Sequence, residues 1–170
     1  KVVIRVPQRG ERAQVLQMAA DNAREEAERQ TTSQERSDRT LELLAKLTGL
    51  PAPPERMESY DISNTGGEDI VASMVVFHGS RPAKDCYRRF RIKELEGHPD
   101  DYRSMEEVLT RRMTRYMEQD KKFMPLPDMM LIDGGEQHAK VAQRVVARFG
   151  AAVPIFGMVK DDRHRTRALV

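Results

Sequence analysis

The stretch Leu131-Ile132-Asp133-Gly134-Gly135-Glu136-Gln137-His138-Ala139-Lys140 decides how the rest of the chain is read. Apolar residues run from Met129 to Ile132 and read as a short buried strand, with Asp128 at its start. The strand stops on one carboxylate, turns on two glycines and opens a helix. Val141, Ala142, Val145, Val146 and Phe149 then recur on one helical stripe up to Gly150. A carboxylate at such a strand end is often the cap of the following helix. It is equally well placed as a ligand or catalytic group, because open α/β sheets set their sites beyond the carboxyl ends of strands. Choosing between these needs a second acidic strand.

Working outward, Val153 to Val159 forms a last strand and leads into Lys160-Asp161-Asp162-Arg163-His164-Arg165-Thr166-Arg167. On the other side, Met105, Val108, Leu109, Met113, Tyr116 and Met117 predict a helix from about Ser104, with Arg111, Arg112 and Arg115 facing elsewhere. Three strands precede that helix, over Glu58–Ser63, Asp69–Phe77 and Lys84–Ile92. Asn64-Thr65-Gly66-Gly67 supplies a hairpin turn between the first two. Alternation in the third puts Cys86, Phe90 and Ile92 on one face and Tyr87, Arg89 and Arg91 on the other, with Arg88 on the apolar side. The core order is therefore βββ-α-β-α-β, a mixed α/β sheet over residues 55–170.

A preface over residues 1–54 opens with a strand, Lys1 to Val6, broken at Pro7 and Gly10. Leu16, Ala20, Ala23 and Ala27 give a narrow helical stripe, Thr31-Thr32-Ser33 invites a kink, and Leu41, Leu44 and Leu47 form a second stripe. Gly49 and the prolines Pro51, Pro53 and Pro54 end the helix.

The 170 residues are long enough to bury a core. Lys+Arg number 29 against 27 Asp+Glu, a net charge of +2 that by itself announces no nucleic-acid partner. No apolar run reaches the roughly 20 residues that span a bilayer, so no membrane partner is expected. The single Cys86 excludes an internal disulfide and fits a reducing, cytoplasmic setting. One Cys and four scattered His give no zinc spacing.

Six ordered blocks carry a specific resemblance: VPQRGER, ESYDISNTGGEDIVASMVVF, YRRFRIK, DDYRSMEEVLTRR, PDMMLIDGG and KDDRHRTRAL. Together they resemble the C-terminal half of the UvrC family of excinucleases. The resemblance implies a ribonuclease H-like fold and an endonuclease that makes the 5′ incision beside a lesion in bacterial nucleotide excision repair. It implies Mg²⁺ (or Mn²⁺) as cofactor, damaged double-stranded DNA as substrate, and the helicase UvrB as a partner through parts of the longer protein. Its first two acidic positions fall on Asp61 and Asp133, as catalytic and metal-binding residues, and a further aspartate falls on Asp101. The family's histidine lies in a His-Arg-Phe-Ala block that does not occur before Val170; His164 belongs to an earlier block. Where the family often continues Asp-Gly-Gly with a basic residue, a glycine and a glutamine, Glu136-Gln137-His138 stands here, one residue shorter.

Each residue also has a plainer role. Asp61 could bond its own turn, Asp133 could cap a helix, and Asp101, beside Asp100, could do the same. His138 falls on the buried stripe and is expected to pack; His78 and His98 lie in turns. Glu58 shares the face of Tyr60, with a surface role expected, and Cys86 is expected in the core. Arg88, Arg89, Arg91, Arg163, His164 and Arg165 are the candidates for phosphate contact. A noncatalytic DNA- or protein-docking domain on the same fold is the rival to a nuclease.

Overall fold

The computed structural model describes residues 6–64, 70–92, 101–163 and 165–170. The expected strand at residues 1–6 lies outside them except for Val6, as do Thr65, Gly66, Gly67, His98, Asp100 and His164.

Helix α1 runs unbroken from Glu11 to Thr48. The kink expected at Thr31-Thr32-Ser33 is absent. Thr31 and Thr32 turn their hydroxyls back onto the carbonyls of Ala27 and Glu28, at 2.9 and 3.0 Å, so the side chains join the ladder instead of competing with it. Gly49, at φ 71°, closes the helix by donating its N–H to the Ala45 carbonyl. The expected apolar stripe is barely used: Leu16 is 44% and Leu47 76% exposed, and Ala45 alone among the described residues of α1 is buried.

The remaining elements are β1 (Arg56–Asn64), β2 (Ile70–His78), β3 (Arg81–Pro82), β4 (Arg88–Arg91), α2 (Asp101–Met117), β5 (Met129–Asp133), α3 (Glu136–Arg148), β6 (Ile155–Lys160) and β7 (Thr166–Leu169). They form one sheet in the order β3-β2-β1-β5-β6-β7, with β4 also paired to β2. β1 and β2 are antiparallel, β5 lies parallel to both β1 and β6, and β7 returns antiparallel to β6. The path β4-β2-β1-β5-β6 is the ribonuclease H-like order.

Two features depart from the expected order. Lys84–Ile92 is not one strand: Cys86 and Tyr87 donate to the carbonyls of Ala83 and Lys84, closing a 3₁₀ turn over Lys84–Cys86. β3 and β4 therefore share β2, pairing with Phe77–His78 and Val71–Met74 respectively. After β6 the chain turns back and adds a further strand, β7, to the sheet.

One face of the sheet carries α2 and α3. Met105, Val108, Leu109 and Met113 of α2, and Ala142 and Val145 of α3, are fully buried there with Tyr60, Met74, Val76, Met130 and Ile132. Met117, expected on this stripe, is 59% exposed. Glu58, expected at the surface, and Arg112, expected to face away from the apolar stripe, are both fully buried. Their positions on β1 and α2 turn them toward each other inside this layer. Glu58 also accepts from Arg56 and, at 2.6 Å, from the Tyr60 hydroxyl. Burial alone would raise the Glu58 pKa, but the bonds and charge of Arg112 outweigh it and hold the carboxyl below its ordinary value.

Candidate active site

Asp133 is the last residue of β5, and Asp61 lies on the neighbouring parallel strand. The ladder pairs Tyr60 with Ile132, so Asp61 and Asp133 are the next residues along on each strand. Tyr60 and Ile132 point into the helical layer, and strand alternation turns both aspartates to the opposite face, which α2 and α3 leave open. Both are partly buried.

The turn after Asp133 explains its glycines. Gly134 has φ 153°, and a Cβ there would lie 2.6 Å from the His138 ring. The turn also rides on β6: a Cβ on Gly157 would meet the Gly134 carbonyl oxygen at 2.6 Å and that of Gly135 at 2.9 Å. Gly157 thus lets the backbone of the turn rest directly on β6 behind the carboxylate, and Gly134 leaves room for the His138 ring. Gly135 then starts α3 without a side-chain cap, so Asp133 does not cap that helix.

Asp61 accepts from the Ser63 hydroxyl at 3.1 Å. Asp133 is ion-paired with the ammonium of Lys160, at the end of β6. The hydrogen bond to Asp133 holds the Lys160 pKa above its ordinary value, slight burial opposes it, and the charges of Asp133 and Asp61 add to it. The two aspartates and this lysine therefore share one electrostatic site. The sequence does not mark Lys160 as a partner of Asp133, because only the register shows which face it takes; it lies two residues beyond Met158, the partner of Asp133.

Asp101 is the first residue of α2 and is exposed. Tyr102 beside it lies against His138, ring centroids 4.5 Å apart, which brings the starts of α2 and α3 together and packs His138 as expected. Among the described residues no three Asp, Glu, His or Cys side chains converge into a metal-binding group. The structure thus joins Asp61 to Asp133 and leaves Asp101 at a helix start.

The basic candidates divide. Ser73 pairs with both Asp61 and Arg89, so Arg89, Ser73 and Asp61 form a row across three strands on the open face. Val71 likewise connects Arg91 with Ser63. Arg89 and Arg91 are exposed. Arg88 faces the other way: its guanidinium lies 5.8 Å from the Phe123 ring centre and donates to the carbonyls of Asp85 and Tyr87. Arg163 and Arg165 lie in the β6–β7 turn, both donating backbone N–H groups to Asp161 at 2.9 Å. Those bonds, led by that of Arg165, hold the Asp161 carboxyl below its ordinary pKa.

Hard carboxylate oxygens on adjoining strand ends, already drawing a cation, suit a Mg²⁺ or Mn²⁺ ion, which needs only one or two protein carboxylates. No helix among the described residues is long and apolar enough to cross a membrane.

Residues 45–169 match the family model of the UvrC RNAse H endonuclease domain, and residues 1–30 that of the UvrC Ribonuclease H-like domain. The UvrABC system protein C of Ruminiclostridium cellulolyticum is 45% identical over 180 residues, covering 100% of this chain and 29% of that protein. The protein of the same name from Caldanaerobacter subterraneus subsp. tengcongensis is 42% identical over 184 residues, covering 100% of this chain and 30% of that protein. The chain thus spans 29–30% of the length of these curated relatives. Among solved structures, the catalytic domain of human endonuclease V aligns with a TM-score of 0.47 at 18% identity, covering 64% of this chain and 46% of that one.

Proposed function

This chain belongs to the family of the UvrC RNAse H endonuclease domain, and from that premise we propose that it is a metal-dependent endonuclease unit making the 5′ incision in damaged DNA during nucleotide excision repair. The observation that carries the reading is the placement of Asp61 and Asp133 on adjoining parallel strands, turned to the open face of the sheet. A divalent cation held by them would supply charge neutralisation at the scissile phosphate and activation of the attacking water.

The chain's own residues divide the remaining work. Asp61 and Asp133 provide the oxygen ligands, and the Ser63 hydroxyl orients Asp61. The Gly134–Gly135 turn, seated on Gly157, fixes the backbone behind Asp133. Arg89 and Arg91 flank the acidic pair on the same face, where they would neutralise phosphates of a duplex laid across the sheet and set its register. Arg163 and Arg165 would extend that contact on the β7 side, with His164 a further candidate for it, and Asp101 would act as an accessory group once substrate approaches the start of α2. In the longer relatives, UvrB would reach this domain through segments outside this chain.

The reading is tested by calorimetric Mn²⁺ titration of the chain beside Asp61→Asn and Asp133→Asn, followed by incision of a lesion-bearing duplex. One Mn²⁺ site lost in both folded variants is the expected result. Binding that survives both substitutions rejects it. DNA binding without any Mn²⁺ site would favour a noncatalytic docking domain.

A further inference from the structure

Three features fix the side chain of Lys160. Met158 stands opposite Asp133 in the parallel ladder, so Lys160, two residues on, leaves β6 from the same face as Asp133. Lys160 keeps its place in the β6–β7 ladder, opposite Thr166, and the extra residue of the irregularity beside it, Arg167, lies on β7. Beyond it, Asp161 ties down the turn: its Oδ1 accepts the N–H groups of Arg163 and Arg165, and its Oδ2 the Arg165 guanidinium. The outcome is an ammonium ion-paired with Asp133, the side chains 39% and 19% exposed.

We infer that Lys160 is a displaceable counter-ion of the Asp61–Asp133 pair, its ammonium taking the cation's place on Asp133 in the metal-free chain and leaving when a divalent ion binds. The inference rests on the metal-binding role proposed for the two aspartates. Two carboxylates on adjoining strands repel each other, and one ammonium relieves that repulsion. Lysine suits the task because its charge is compact and its four-carbon stem is flexible, so it can swing aside without moving the backbone. A partly exposed ion pair is worth little, so its rupture weakens cation binding by only about three- to fivefold. The lysine thus keeps the acidic pair together without competing strongly with the ion it anticipates.

The test is Mn²⁺ affinity by calorimetry for the chain and for Lys160→Gln and Lys160→Met, with thermal melting as the check of folding. Both variants are expected to bind Mn²⁺ about three- to fivefold more tightly. Arg167→Gln removes one positive charge from β7, and its affinity is expected to stay near that of the parent chain. Equal or weaker binding in the folded Lys160 variants overturns the inference, as does an equal tightening by Arg167→Gln, which would mark a general field rather than displacement. If the parent chain shows no Mn²⁺ site that Asp61→Asn removes, the metal role of the aspartates fails and the inference with it. If that site exists but Lys160→Gln does not alter it, only the inference fails.

Discussion

Glu58 on β1 and Arg112 on α2 form a two-pronged ion pair in which Nε reaches Oε2 and Nη2 reaches Oε1, each at 2.9 Å, with both side chains fully buried. Arg56, 4% exposed, adds a second guanidinium to the same carboxylate. Removing one member of such a group strands the others in a low-dielectric interior, which is far more damaging than losing a surface pair.

Arg112→Met is accordingly expected to destabilise the fold by about 3 kcal/mol, read as the shift in urea midpoint. Glu58 gives a pH signature as well. Its carboxyl is held below the unfolded value of 4.5, so the unfolded chain takes up the proton first as the solution is acidified. The stabilisation is complete above that value and is lost as pH falls from 4.5 through the lower folded value. Glu58→Gln should therefore flatten the acid limb of the stability curve below pH 4.5. An acid limb as steep as the parent's would remove Glu58 from this account.

Gly157→Ala probes the seat of the active-site turn. Its Cβ would stand 2.6 Å from the Gly134 carbonyl oxygen, a backbone atom with no flexible end to yield. A loss of about 1–3 kcal/mol is expected, together with weaker Mn²⁺ binding, since the turn must lift away with Asp133. Melting and calorimetry check the two parts separately. Unchanged values in both would show that the turn absorbs the methyl group freely.

Arg89 and Arg88 are adjacent in sequence and opposed in direction, so they should fail differently. Arg89→Ala is expected to weaken duplex binding and to reduce the slope of log affinity against log salt by about one, with melting unchanged. Arg88→Ala should leave that slope alone and lower stability by about 1 kcal/mol, through loss of the Phe123 contact. Anisotropy titrations over a salt series read the first effect. An identical slope for Arg89→Ala would take that residue out of the interface.

The run of strands and helices from β1 to β6 was legible in local signals, strand alternation, glycines after an acidic strand end and helices between strands, whereas the Asp61–Asp133 pair was implied by the resemblance to the UvrC family. The partners of those groups were not legible. Glu58 sat by parity on the face of Tyr60, which pointed inward, yet nothing nearby in the chain announces a guanidinium from Arg112, 54 residues away. Lys160 needed the β5–β6 register, which depends on three-dimensional pairing. α1 misled in another way: its apolar residues recur at helical spacing, but a stripe of alanines with Leu16 and Leu47 marks a helix without marking what, if anything, covers it.

That exposure gives the molecule two grades of cohesion. The 38 residues of α1 form a rod of about 57 Å. Along most of it the helix is held by its own backbone and by pairs such as Gln17–Asp21 and Gln34–Asp38, which are worth only a few tenths of a kcal/mol each. It meets the sheet near its C-terminal part, where Gln34 bonds Arg81 and Leu41 approaches Gly79. Among the described residues, α1 is therefore expected to open at a lower temperature than the sheet carrying Asp61 and Asp133.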